Sequence, residues 1–125
     1  MTCRFDKSLR LLNAQDYQSV FDNSTVKVSC AEFLFLAQQN QLDHPRLGLV
    51  IAKKNVRLAV QRNRLKRIIR ETFRQEQSRL PAIDVIVLAR RGADSLENPE
   101  LHRQFQQLWR QLDKRAKKRL GLSEE

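Results

Sequence analysis

Residues 53–74 read KKNVRLAVQRNRLKRIIRETFR. They hold nine of the chain's 24 Lys and Arg residues and one of its 14 acids, Glu71. The stretch carries a net +8 against +10 for the whole 125-residue protein, so the other 103 residues are close to neutral. Charge placed only for solubility would be spread along the chain. One strongly basic segment on a nearly neutral scaffold is the pattern of a surface made for a polyanion.

Helical periodicity sorts the second part of the stretch by face. Leu58, Leu65, Ile68, Ile69, Thr72 and Phe73 recur at three- and four-residue steps and form one apolar stripe. Asn63, Lys66, Arg67, Arg70 and Arg74 project on the opposite side, with Arg62 at the edge of the stripe and Arg64 on the other flank. A solvated helix surface is the plain alternative, but such surfaces mix signs at i,i+4 spacing. Here like charges meet at Lys66/Arg70, Arg67/Arg70 and Arg70/Arg74, which destabilises a helix unless an anion neutralises them.

A chain of 14.7 kDa forms one domain and is long enough to bury a core. The domain is expected to span residues 1–125, ordered over about 8–119 with flexible ends. No apolar run approaches the ~18 residues of a membrane span, and the first residues lack a secretory apolar segment. Cys3 and Cys30 are far apart and outside any metal spacing, which reads as reduced thiols of a cytoplasmic protein. A pI near 10.4 favours nucleic acid over a membrane surface, because the apolar face of the basic helix is needed for a core.

Along the chain, Asn13 with Asp16 three residues on signals the start of a short helix bearing Tyr17, Val20 and Phe21 on one side. Residues 26–28, 33–37, 47–52 and 83–89 read as strands rich in branched and aromatic residues. The basic helix is expected to run to about Ser78, stopped by Pro81. Asn98 and Pro99 read as a cap and first-turn proline for a last helix, with Leu101, Phe105, Leu108, Trp109 and Leu112 buried and Gly121 at its end. The order predicts one sheet with helices mainly on one side.

Lys53-Lys54-Asn55, and above all Arg62-Asn63-Arg64-Leu65-Lys66-Arg67 followed by Arg70, resemble the signature of the bacterial ribonuclease P protein family. Arg10-Leu11-Leu12, Asp16-Tyr17, Val20-Phe21, Arg46-Leu47-Gly48-Leu49, Asp84 and Ala89-Arg90-Arg91 extend the likeness in order over roughly residues 8–112. The resemblance implies an α/β (α+β) two-layer sandwich: a four-stranded sheet with about three helices, similar to a ribosomal-protein domain-2-like fold. It also implies a left-handed βαβ crossover, which pattern alone does not suggest because right-handed connections dominate.

In function, the resemblance implies an RNA-binding, non-catalytic subunit of an endoribonuclease that removes the 5′ leader from precursor tRNA. Lys53, Lys54, Asn55, Arg62, Asn63, Arg64, Lys66, Arg67 and Arg70 then fall at the surface that binds the catalytic RNA. Tyr17 and Phe21 fall in a cleft that receives the leader, with Phe35 or Phe33 as a third aromatic. The plain alternative for all four rings is core. Magnesium is expected on the RNA of the holoenzyme and not on the protein, which is expected to be a cytoplasmic monomer away from membranes.

The residues themselves offer no catalytic constellation. His44 and His102 lack neighbours at ligand spacing, and there is no nucleophile motif, phosphate loop or close carboxylate pair. A DNA-binding regulator would need base-edge readers on the basic helix, where Asn63 is the main candidate, and usually a dimer. A self-sufficient nuclease would need the missing acids. Arg90-Arg91 and the tail Lys114-Arg115, Lys117-Lys118-Arg119 read either as extra phosphate contacts or, for the tail, as cations favoured at a helix C-terminus.

Overall fold

The computed structural model describes residue 10 and residues 13–121; Cys3, Leu11, Leu12 and most of the two chain ends lie outside them. Asn13 caps the first helix, α1 (Ala14–Asn23), by accepting the Asp16 N–H at 2.8 Å, as the sequence signal predicts. The chain continues through strands β1 (Val26–Ser29), β2 (Phe33–Gln39) and β3 (Arg46–Val50) to the basic helix α2 (Ala59–Glu76). Strand β4 (Ile83–Ala89), a 3-10 turn (Ala93–Ser95) and a long helix α3 (Asn98–Arg119) complete it. Gly92, at φ 95, makes the left-handed step that turns the chain out of β4, a conformation costly for any residue with a Cβ.

The strands lie in the order β1-β2-β4-β3. β1, β2 and β4 pair antiparallel, while β3 and β4 are parallel neighbours joined through α2. Strand alternation sends side chains to two different helical layers. Phe33, Phe35 and Ala37 of β2 and Ile83, Val85 and Val87 of β4 face α2 and α3, where they meet Leu65, Ile69, Phe105 and Trp109. The alternate residues Leu36 and Ile86 face Val20 of α1 on the opposite side. The one-sided expectation therefore holds for α2 and α3 but not for α1, whose apolar stripe has its own sheet face to cover.

Trp109 orients α2 on α3. Its indole N–H donates to the Thr72 hydroxyl at 2.9 Å, and that hydroxyl donates to the Ile69 carbonyl at 3.1 Å. The ring also packs on Phe35 and Phe73, with centroids 4.7 and 5.4 Å away. Buried rings of this size each contribute roughly 1.5–3 kcal/mol, so the outward face of α2 is set from the core.

Two helix starts differ from expectation. Leu58, assigned above to the buried stripe, is the residue before the first turn of α2 and is 55% exposed. Residues 53–56 form a turn and a bend at the entrance to the helix. At α3 the residue preceding the helix is Glu97, and the Asn98 side chain accepts from Arg64 instead of capping.

Candidate nucleic-acid interface

The approach to α2 is built by residues that sequence reading placed on the RNA surface. The Asn55 and Val56 amides both donate to the Ala52 carbonyl at 3.0 Å, closing the turn after β3. Asn55 Nδ2 donates to the Ala89 carbonyl at 3.0 Å, pinning that turn to the end of β4. Arg62 Nη1 donates to the carbonyls of Val56 and Arg57 at 3.1 and 2.9 Å, holding the turn against the helix it precedes.

Arg64 is turned further inward. Its guanidinium donates to Gln61 Oε1 (2.8 Å), the Leu96 carbonyl (2.9 Å), Asn98 Oδ1 (2.7 Å) and the Asp94 carbonyl (3.2 Å). Four bonds nearly exhaust the five donors of a guanidinium. Arg64 therefore fastens α2 to the 3-10 turn and the start of α3, which leaves little of its guanidinium for RNA. Asn55 and Arg62 likewise spend side-chain donors on the fold, although Arg62 keeps part of its guanidinium.

The outward row is what remains. Asn63, Lys66, Arg67, Arg70 and Arg74 surround a shallow cavity of about 420 Å³, with Glu71 as the one acid. Among the described residues, Lys66, Arg67 and Arg74 have no salt-bridge partner. Glu71 faces His102 on α3, 3.8 Å away. Arg70 is held against the body of the protein: burial first, then the Arg10 guanidinium, lowers its pKa from the ordinary value, and Tyr17 partly offsets this. A partly desolvated cation beside another cation is a site that gains from an anion. Arg74 completes the row although the family signature ends at Arg70.

A second surface lies on the α1 face of the sheet. Strand register aligns Leu34 with Leu88 and Leu88 with Val50, so three half-buried aliphatic residues form a row across β2, β4 and β3. α1 covers the neighbouring rows: Val20 packs on Leu36 and Ile86, Ser19 Oγ accepts from Gln38 at 2.8 Å, and Asp16 lies 3.6 Å from Arg46. Arg46 in turn grips the buried Asp84 in a two-pronged pair at 2.9 and 2.7 Å. Helical spacing puts Tyr17 and Phe21 on the other flank of α1, beside this half-buried row. Phe21 is 41% exposed, and Tyr17 is half-buried with its hydroxyl accepting the Leu49 N–H at 3.1 Å.

The result is a groove with an aliphatic floor and an aromatic wall. Arg90, the residue after β4, is exposed, with its Nη1 donating to the Cys30 carbonyl at 3.0 Å. Exposed Lys53, Lys54 and Arg91 flank the same end of the sheet. The third aromatic position is corrected. Phe33 and Phe35 are both 0% exposed on the opposite face, packed on Phe105 with centroids 4.6 and 6.3 Å away, and cannot line this groove. Strand parity decides the matter: the groove takes Leu34, between them.

The family model for ribonuclease P matches residues 5–113. The chain belongs to the ribonuclease P protein family. It is similar to the ribonuclease P protein component of Pseudomonas aeruginosa, with 59% identity over 108 residues, 86% of this chain and 80% of that protein. The corresponding protein of Chromohalobacter salexigens is 54% identical over 114 residues, 91% of this chain and 89% of that one. The solved structure of the Staphylococcus aureus RNase P protein is similar at a TM-score of 0.77 and 30% identity, covering 83% of this chain and 94% of that one.

For a ribonuclease P protein, the described residues hold no group of three or more His, Cys, Asp or Glu residues able to cage a metal ion. His44 pairs with exposed Asp43 at 2.9 Å, and its hydrogen bond lowers the Asp43 pKa below the usual carboxylate value. Among the described residues, no helix is long and apolar enough to cross a membrane.

Proposed function

We propose that the outward row on α2 grips the RNA subunit of ribonuclease P while the groove beneath α1 holds the single-stranded leader of precursor tRNA. As a member of its family the chain is the protein component of ribonuclease P, a subunit of the tRNA-processing endoribonuclease. The observation that carries the RNA reading is that Lys66, Arg67 and Arg74 project from a helix anchored by Trp109, with one acid, Glu71, beside them and no salt-bridge partner among the described residues. Each phosphate such a cation meets releases a counterion, giving tight but sequence-tolerant binding.

The groove suits an unpaired strand. Tyr17 and Phe21 offer ring faces on which bases stack, at about 1–3 kcal/mol per base, and Lys53, Lys54 and Arg90 can follow the phosphates. Bond cleavage then belongs to the RNA subunit and the magnesium ions it binds, with the monomeric protein acting in the cytoplasm. Duplex DNA is the weaker alternative, because in this row only Asn63 and the arginines could read base edges. Cleavage of precursor tRNA at low magnesium, by the RNA subunit with and without this protein, tests the reading. The protein is expected to raise both precursor affinity and turnover; no gain in either contradicts it.

A further inference from the structure

We infer a second RNA-backbone site at the far edge of the sheet, in the cleft between β1 and the end of α3, which receives leader nucleotides upstream of those in the groove. This rests on the leader reading above and extends it. A cavity of about 990 Å³ opens there; among the described residues its charged lining is Lys27, Arg115, Lys118 and Arg119, with no carboxylate. Ser24, the residue that ends α1, borders it.

Two of these cations are held in place. Arg115 Nη1 donates to the Lys27 carbonyl at 2.7 Å and Arg119 Nε to the Thr25 carbonyl at 3.0 Å. The two guanidiniums lie one helical turn apart along the open edge of β1. Each commits one of its five donors to these bonds and keeps the rest for an anion. The helix dipole favours cations in the last turn of α3, but it does not account for like charges at Arg115/Arg119, four residues apart and fixed side by side, which repel. Lys27 adds to them from the strand, on the face of the sheet that also carries Ser29.

Position names the ligand. α1 crosses the sheet from β3, where Tyr17 meets Leu49, to β1, where Ser24 ends it, and the groove follows it. The row Val50–Leu88–Leu34 continues to Ser29, the register partner of Leu34. A strand that enters beside Tyr17 and crosses the groove therefore leaves over β1 at Ser29, two residues along the same strand face from Lys27, which borders the cleft. The crossing is about 14 Å, three strand spacings, or roughly four stacked nucleotides.

Lys27→Gln with Lys118→Gln removes two charges without touching either arginine–carbonyl bond. Holoenzyme carrying this pair is compared with wild type on precursors whose leaders range from about four to about sixteen nucleotides. The variant is expected to match wild type on the shortest leader and to bind long-leader precursors roughly five- to tenfold more weakly, with a salt slope shallower by about 1.4. Equal losses at every length, no loss at any length, or weakened assembly with the RNA subunit would each overturn the site; the last would assign the cleft to the catalytic RNA. If wild-type protein gives no gain over the RNA subunit alone, the leader reading itself fails, independently of the variant.

Discussion

The Tyr17 hydroxyl accepts the Leu49 N–H at 3.1 Å, tying the helix that walls the groove to the outer edge of the strand that leads into the basic helix. Arg10 bridges Leu47 on that same edge, and Arg70 of α2 lies within electrostatic reach of both Arg10 and Tyr17. One strand edge thus joins the two surfaces proposed to hold RNA. Precursor and catalytic RNA would meet there on opposite faces of the same sheet.

Removing that hydroxyl separates tethering from stacking. Tyr17→Phe leaves the ring but strands a half-buried amide, which is expected to cost about 1–3 kcal/mol in urea denaturation. Precursor affinity should fall less than in Tyr17→Ala, which removes the ring as well. Equal affinity losses in the two variants would mean that the ring does not stack on the leader.

Two arginines three residues apart are expected to behave oppositely. Arg67→Ala changes stability by no more than about 0.5 kcal/mol, as for an exposed side chain, and weakens binding of the RNA subunit. Arg64→Ala strands the carbonyls of Asp94 and Leu96 and should destabilise the protein by about 1–3 kcal/mol. Thermal unfolding of both variants beside an RNA-binding titration checks the contrast; equal stability losses would remove it.

The phenylalanines divide in the same way. Phe35→Ala opens a cavity among Phe105 and Trp109 and is expected to cost about 3–5 kcal/mol of stability. Phe21→Ala should leave the fold largely intact and reduce affinity for precursor more than for mature tRNA, by about 1–3 kcal/mol. Equal losses on the two RNAs would take Phe21 out of the groove.

Arg46→Ala would leave Asp84 buried without its charged partner, at an expected cost of about 3 kcal/mol. The Asp84 hydrogen bond raises the Arg46 pKa above its ordinary value. A raised cationic pKa adds stability that is complete below the ordinary value and is lost only as pH climbs through the raised one. The stability gap between wild type and variant should therefore not change from neutral to mildly alkaline pH, and a gap that closes there would place the effect elsewhere.

Much of this was legible because local chemistry and burial agree. The Asn13 cap, the four strands, and the stripe Leu65–Ile68–Ile69–Thr72–Phe73 all follow from period and capping. The charge row was legible too, since a helix pinned by its apolar side leaves no choice about the other. What escaped were long-range partners. Nothing near Arg64 in sequence announces the Leu96 and Asp94 carbonyls, about thirty residues away. Phe33 and Phe35 share a parity, but which sheet face lies under α1 depends on how α1 folds back, and that is tertiary information. The aliphatic floor escaped for the same reason: Leu34, Leu88 and Val50 become a row only once β2, β4 and β3 are in register.

The most direct measurement is the salt dependence of RNA-subunit binding for wild type and for Lys66→Gln, Arg67→Gln, Arg74→Gln combined. If this row meets phosphates of duplex RNA, the slope of log affinity against log salt should be shallower by roughly 2.7 in the variant, about 0.9 for each charge removed. An unchanged slope in a folded variant would mean that the row does not touch RNA.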